Sequence, residues 1–220
     1  MAKAPSPTAP TGFPIRGWFA DSDPSFRREM LALARPKSYA AGSVIYQAGD
    51  PGRDVFGVRS GVITLSGKFT HPDAVLLHML RPGDWFGTVP VLIERSRRIT
   101  AIARTDVDTL CVPGDQLRAL LRHHPEWVIE LGRDLAYYMD LGMQIASDLL
   151  IRNASARCAA VLLRLAGRRW ASDPDADLPS EIPAPQTELA MLCNVSRNTF
   201  SRVVKEFTNG QLVTLGYRSL

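Results

Sequence analysis

The chain has little cysteine and no long apolar run. Its three cysteines, Cys111, Cys158 and Cys193, are an odd number at wide spacings, which excludes a disulfide framework and a CxxC metal or redox motif. No stretch approaches the roughly 20 apolar residues of a membrane span. The first fourteen residues are rich in proline and lack the apolar segment of a signal peptide. These absences predict a cytoplasmic protein without a membrane partner.

The composition indicates a folded, mildly basic protein. Hydrophobic residues make up 45% of the 220 residues, enough for a packed core, and the net charge is +4 at pH 7. The positive excess is concentrated toward one end, because residues 151–220 hold nine Lys and Arg against six Asp and Glu. A basic segment of this kind allows a nucleic-acid partner without requiring one.

Residues 38–112 carry short β-rich runs separated by glycine turns, among them SVIYQ, VFGVRS, VITLSGKF and AVLLHML. Short strands at this spacing are typical of a β-sandwich or barrel. Beyond Val112 the apolar residues recur with helical spacing, and Pro125 is expected to start a further helix. The pattern therefore predicts an α+β protein with a β domain followed by helices.

A long helix is predicted between Glu126 and Arg152, where the sequence has no proline. Its apolar residues alternate in steps of three and four, the heptad pattern that a partner helix buries. In one interpretation this face packs on the β domain of its own chain. In the other it packs on a second copy, while Leu141, Met143 and Leu150 face the β domain. We expect the second, with the interface formed by Val128, Leu131, Leu135, Tyr138, Gly142, Ile145 and Leu149.

The segment PQTELAMLCNVSRNTFSRVVKEF predicts two helices joined by a tight turn. Pro185 suits the start of the first helix, Asn194 suits a turn that needs a positive φ, and Ser196 can cap the second helix. On that second helix an apolar set at i, i+3, i+4 and i+7 faces inward. The apolar set comprises Phe200, Val203, Val204 and Phe207.

The opposite face of the second helix is polar and basic, which is the arrangement of a helix-turn-helix. Arginine pairs with guanine and asparagine with adenine in the major groove, so Arg197, Asn198 and Arg202 are candidate base readers. The alternative is a helical hairpin whose charged face is only solvated. The predicted DNA-binding residues are Arg197, Asn198, Thr199, Ser201, Arg202, Lys205 and Gln186.

The order of these parts resembles the CRP/FNR family of bacterial transcription regulators. The resemblance rests on YAAGSVIYQAGDPGRDVFGVRSG, RPGDWFG and SRNTFSRVVKEF. It implies a flexible tail (residues 1–15), a jelly-roll-like β-roll, or double-stranded β-helix, as sensor domain (16–123), a dimerisation helix (124–152) and a winged helix-turn-helix (153–220), with QLVTL and YRSL as a wing hairpin. It also implies a homodimer, a near-palindromic site in double-stranded DNA, RNA polymerase as a partner and an effector event in the β-roll.

The segment from Gly87 to Arg98, here called the cassette, departs from the family pattern for cyclic AMP. Family members that bind this nucleotide have Gly-Glu and Arg-Ser where this chain has Gly87-Thr88 and Arg97-Arg98. Loss of the glutamate removes a charge-assisted hydrogen bond to the ribose, worth about 1.5 to 3 kcal/mol. Ile99 follows the cassette and is apolar. The resemblance also places Gly142 and Met143 of the long helix where cyclic-AMP sensors have hydroxyl residues against adenine, so that site is apolar here as well. A cyclic nucleotide, another small ligand and no ligand at all remain open, and cyclic AMP is the disfavoured choice.

Other cofactors and other functions find less support in the sequence. Iron–sulfur sensors of the family use cysteines near the N-terminus, and none precedes Cys111. A haem ligand would come from His71, His78, His123 or His124, and isolated histidines are mostly structural. No metal-ligand set or catalytic group is apparent, so we expect no enzyme. The alternative function is a module that binds a cyclic nucleotide or other small ligand, with weak or no specific DNA binding.

Overall fold

The computed structural model describes residues 12–69, 74–168, 181–216 and 219–220. They form two compact units that divide between Met139 and Asp140. Within the described ranges, no helix is both long enough and apolar enough to cross a bilayer.

The N-terminal unit is built from two four-stranded antiparallel sheets, with strand orders β1-β8-β3-β6 and β2-β7-β4-β5. This is the β-roll that the sequence predicts. The strands are β1 (Arg35–Tyr39), β2 (Val44–Tyr46), β3 (Val55–Ser60), β4 (Ile63–Gly67), β5 (Val75–Leu80), β6 (Trp85–Phe86), β7 (Thr100–Ala103) and β8 (Val107–Val112). Its helices are α1 (Trp18–Asp21), α2 (Pro24–Leu33), α3 (Val89–Ile93) and α4 (Gly114–His123).

Two short helices precede the sheets and were not anticipated from the sequence. Helix α2 begins with Pro24, and the side chain of Asp23 accepts hydrogen bonds from Ser25 N at 2.7 Å and Phe26 N at 3.0 Å. An Asp-Pro start is a recognisable helix signal. Phe26 and Met30 on this helix are fully buried. The helix therefore belongs to the core of the unit.

The predicted flexible tail, residues 1–15, extends too far along the chain, because Phe13 is buried. Its ring lies 5.1 Å from the ring of Trp85, centroid to centroid. A Cβ at Gly57 would stand 2.8 Å from the Phe13 ring, so the absence of a side chain on β3 makes room for it. The chain is thus anchored to the β-roll from Phe13 onward. Residues 1–11 lie outside the described part.

The remaining helices are α5 (Val128–Leu149), α6 (Ala154–Leu165), α7 (Gln186–Leu192) and α8 (Arg197–Asn209). The long helix α5 is shorter at both ends than the predicted span from Glu126 to Arg152. Pro125–Trp127 form a 3₁₀ turn before it, which suits a proline at the first position. Asn153 then caps α6 by accepting a hydrogen bond from Ala156 N at 2.9 Å.

Candidate functional site

The helix-turn-helix forms as the sequence predicts. Asn194 adopts φ 49° between α7 and α8, and Ser196 Oγ caps α8 by accepting a hydrogen bond from Thr199 N at 3.1 Å. Leu189, Ala190 and Cys193 bury the inner face of α7 and its end. Phe200, Val203 and Val204 are at most 1% exposed, and Phe207 is half-buried. The apolar face of α8 therefore leaves its polar face free.

The predicted DNA-binding residues lie together along that outer face. Five of the seven predicted residues are exposed on α8: Arg197, Asn198, Ser201, Arg202 and Lys205. Thr199 is half-buried, with its hydroxyl 2.9 Å from Ser196 Oγ, so it reinforces the cap. Gln186, at the start of α7, lines a cleft of about 320 Å³ that Arg197 also lines. The structure thus brings both helices of the motif to one basic surface.

The wing appears in part. Gly216 and Ser219 form one antiparallel bridge, with Gly216 N donating to Ser219 O at 3.1 Å. Ile182 and Leu220 exchange two backbone hydrogen bonds of 2.7 and 3.1 Å. Tyr217 and Arg218 lie outside the described residues. The C-terminal strand of the predicted hairpin is therefore held by Ile182, which precedes α7.

Arg97 of the cassette is turned into the protein. It is 5% exposed, its Nη1 donates to Gly87 O at 2.8 Å, and its Nη2 donates to Asp54 O. The guanidinium carbon lies 4.2 Å from the centroid of the Tyr46 ring. Burial lowers the pKa of Arg97. Its hydrogen bonds to carbonyl groups and its stacking on an aromatic ring together stabilise the buried cation.

Gly87 provides the space that Arg97 occupies. Its φ is 91°, and a Cβ at this position would stand 2.7 Å from Arg97 Nη1 and 3.0 Å from Asp54 O. Only glycine meets both requirements. The first and last parts of the cassette are therefore joined directly by this arginine.

Thr88 is the second residue of the cassette, and its hydroxyl bonds to another part of the same unit. It is 2% exposed and donates to the carboxylate of Asp134 on α5, which is 0% exposed. Burial raises the pKa of Asp134 to about 7, although the hydrogen bond from Thr88 opposes the shift. Sequence reasoning missed Asp134; an acidic residue between the apolar positions Leu131 and Tyr138 was the available signal.

The other predicted ligand residues are spread over different environments. Arg98 is exposed, Ile99 is half-buried against the core of the β-roll, and Met143 is 57% exposed. Thr88 and Arg97 are buried, and Gly87 is half-buried. A ligand role for the three others remains a prediction.

The histidines considered as haem ligands have other surroundings where the structure describes them. His78 is buried in the β-roll, and His124 stacks on Trp127 with ring centroids 4.0 Å apart. His123 Nδ1 lies 2.8 Å from Ala119 O. His71 lies outside the described residues. No group of three or more metal-ligating side chains occurs among the described residues.

The structure corrects the predicted register of the central helix. Leu131 is fully buried in the core of the N-terminal unit, and Tyr138 packs on the β-roll with its hydroxyl donating to Trp85 O at 2.6 Å. Ile145 is half-buried. These three follow the buried face of α5, not the outward one. Farther along the helix Leu141 is buried, and Met143 and Leu150 are exposed.

An apolar stripe nevertheless runs along the outside of α5. We call it the exposed stripe; its members are exposed except for the half-buried Gly132. The spacing alternates strictly between four and three residues, which is a heptad seam. It retains four of the seven predicted positions and shifts the others by one. Its members are Val128, Gly132, Leu135, Met139, Gly142, Ala146 and Leu149.

Comparison with known proteins agrees with this architecture. Residues 36–124 match the cyclic nucleotide-binding domain model, and residues 156–220 match the Crp-like helix-turn-helix domain model. Transcriptional regulator SdrP of Thermus thermophilus is 30% identical over 86% of this chain and 89% of its own length. A CRP-like cAMP-activated global transcriptional regulator of Mycobacterium tuberculosis is 24% identical over 93% and 91%.

A solved structure supports the same assignment. A transcriptional regulator of the CRP/FNR family from Thermus thermophilus is 25% identical and superimposes with a TM-score of 0.61, covering 84% of this chain and 91% of its own. The order of domains, the helix-turn-helix geometry and these matches agree. The chain therefore belongs to the CRP/FNR family of transcription regulators, which are not enzymes.

Proposed function

We propose that the protein is a cytoplasmic homodimer that recognises a near-palindromic DNA site and contacts RNA polymerase there. The observation that carries this proposal is the exposed basic face of α8, directly opposite its buried apolar face. A helix so oriented presents its first residues to base edges in the major groove. Arg197 and Asn198 occupy the first two positions of α8.

Each polar residue of that face has a chemical role in the proposal. Arg197 and Arg202 are suited to bidentate hydrogen bonds with guanine, and Asn198 to adenine. Asn198 stands where the family usually has glutamate, so we expect a different base preference at that position. Lys205, Ser201, Thr199 and Gln186 are suited to phosphate oxygens, which position the motif without reading sequence.

The exposed stripe of α5 supports the homodimer. Met139 is 62% exposed and Val128 45% exposed, and Ile129 and Leu150 lie beside the stripe at 63% and 81%. A contiguous apolar face of this length marks an interaction surface. A second copy offers an identical stripe, and two-fold pairing buries both. It also places two helix-turn-helix motifs on a site with two-fold symmetry.

The cassette supports a regulator that does not respond to cyclic AMP. The relative from Mycobacterium tuberculosis is named as activated by cAMP. In this chain Thr88 is paired with Asp134, and Arg97 donates to two carbonyl groups of its own protein. A cyclic phosphate at Arg97 would have to displace the bonds of this side chain to Gly87 O and Asp54 O. We therefore propose DNA binding without cyclic AMP, and leave another effector in the β-roll open.

Selection of DNA from a random double-stranded library tests the proposal. We expect enrichment of a sequence with two half-sites about one helical turn apart, bound with strong salt dependence. Cyclic AMP should leave the selected sequence and the affinity unchanged. Binding without sequence preference would instead support the alternative, a small-ligand module. Binding only in the presence of cyclic AMP would overturn the effector part alone.

A further inference from the structure

One side chain, that of Arg157, bonds to two segments. The first segment connects α5 to α6, and the second is the turn between α7 and α8. The connection runs through Leu150, Ile151 and Arg152 to the cap residue Asn153. The turn runs from Cys193, which ends α7, through Asn194. Arg157, on the first turns of α6, lies between the two. All of these residues belong to the C-terminal unit.

The guanidinium of Arg157 donates to carbonyl groups in both places. Its Nε donates to Cys193 O at 2.7 Å, and its Nη2 lies 3.4 Å from Asn194 O. Its Nη1 donates to Ile151 O and lies 3.4 Å from Arg152 O. Carbonyls just past a helix end have no partner within the helix, and a cation there is favoured by the helix dipole. One planar group thus serves the ends of α5 and α7.

A second contact holds the end of α5 to α6. Arg164 Nε donates to Asp148 Oδ2 at 2.9 Å, and both side chains are at most 5% exposed. This pair holds the last turn of α5 against α6. Arg157 lies two helical turns before Arg164 on α6 and carries the link onward to Cys193 and Asn194. Recognition helix α8 begins three residues after Asn194.

We propose that Arg157 is a positioning residue that couples the end of the central helix to the recognition helix by holding the two turns together. The inference rests on the proposed function, in that α8 is the part that reads DNA. Arginine suits this role because its rigid fork reaches several acceptors at once. Lysine has the same charge but cannot span both turns. The proposal therefore depends on the reach of the guanidinium as well as on its charge.

The test compares Arg157→Lys and Arg157→Gln with Arg152→Ala, a control that removes an exposed arginine from the same connection. Hydrogen exchange of the free protein is followed in peptides covering residues 149–153 and 192–197. Affinity for the DNA sequence selected by the unaltered protein is measured at several salt concentrations. Melting temperature reports general stability.

In both Arg157 variants we expect amide hydrogens to exchange about tenfold faster in each of the two peptides. Peptides covering Val203 and Val204 should keep their protection. Specific DNA affinity should fall about tenfold with an unchanged salt slope, and Arg152→Ala should match the unaltered protein. Faster exchange at one turn only, or throughout the unit, would overturn the coupling. So would unchanged exchange with a salt slope reduced by about one, since Arg157 would then contact a phosphate.

Failure of the proposed function is separable from failure of this inference. If the unaltered protein selects no DNA sequence, the proposed function fails. The exchange of the two turns in the free protein still decides whether Arg157 joins them. Full exchange protection of both turns in Arg157→Lys would show that the guanidinium is not needed.

Discussion

The hydroxyl of Thr88 donates a hydrogen bond to the carboxylate of Asp134 in the interior of the N-terminal unit. The bond joins the cassette to the central helix α5, and neither residue is more than 2% exposed. Burial is the main cause that raises the pKa of Asp134 to about 7, and the nearby carboxylate of Asp84 raises it further. The acceptor of this bond therefore changes its charge near neutral pH.

Replacement of Asp134 by asparagine should change how stability depends on pH. Because the pKa of Asp134 is raised from 3.8 to about 7 in the folded state, the folded protein holds a proton that the unfolded chain loses between about pH 4 and pH 7. The contribution of this group to the free energy of unfolding falls across that window and is constant above it. We expect Asp134→Asn to be more stable than the unaltered protein at pH 8 by about 1 kcal/mol or more.

Urea unfolding at pH 5, 6, 7 and 8 measures the difference between the two proteins. Asp140→Asn, at an exposed position of the same helix, is the control and should give no difference that grows with pH. A constant difference between Asp134→Asn and the unaltered protein from pH 5 to pH 8 would contradict a raised pKa.

Loss of Arg97 should destabilise the protein even in the absence of any ligand. Arg97→Ala leaves Gly87 O and Asp54 O, two carbonyls of half-buried residues, without this donor, which costs at most about 1 to 3 kcal/mol for each group. Arg97→Lys should rescue little, since one ammonium does not span both carbonyls. Arg98→Ala removes the exposed neighbour and should stay within about 0.5 kcal/mol. Denaturant unfolding monitored by Trp fluorescence distinguishes them; equal effects at Arg97 and Arg98 would refute an internal role.

A charge in the exposed stripe of α5 should dissociate the proposed dimer. Met139→Glu places a carboxylate at the middle of the seam, where two-fold pairing sets it beside its own copy. Sedimentation velocity at micromolar concentration should show a monomer whose α-helical content is unchanged. Ser147→Glu introduces the same residue on the exposed polar side of the helix and should remain dimeric. A dimer that persists in Met139→Glu would place the interface elsewhere.

Arg197 should contribute to base discrimination more than to overall affinity. Arg197→Ala should relax the preference at one base pair of each half-site by about 1 to 3 kcal/mol. Lys205→Ala should weaken binding to all sequences alike and lower the salt slope by about one. Fluorescence anisotropy with a panel of single-base variants of the selected site separates the two effects. Undiminished discrimination in Arg197→Ala would remove this residue from the base readers.

The helix-turn-helix was predictable because its signals are local. Asn194 adopts the positive φ, Ser196 forms the cap, and the apolar set of α8 is buried as its spacing requires. Caps, turns and periodicity depend on residues within a few positions of one another. The β-roll was predictable for the same reason, from short alternating runs between glycine turns.

The register of the central helix was not predictable, because α5 is apolar on two sides. In a heptad pattern the seam residue after Val128 lies three or four positions later, at Leu131 or at Gly132. The spacing of apolar residues alone does not distinguish the two. Packing decides between them: the core of the N-terminal unit takes Leu131 and Tyr138, which leaves Gly132 and Met139 outside. The buried face even includes a carboxylate, Asp134, which no pattern of apolar residues would place there.

The sequence by itself determined the order of the domains and the helix-turn-helix with its basic face, because the signals for each come from residues close together in the chain. Only the tertiary structure decided which way Arg97 turns, which carboxylate receives the Thr88 hydroxyl and which two turns Arg157 joins. Except for the bonds of Arg157 to Ile151 and Arg152, those contacts link residues 10 to 46 positions apart. Their partners become neighbours only when the sheets and helices pack, and a hydrogen bond then offsets the cost of enclosing a polar group in the core.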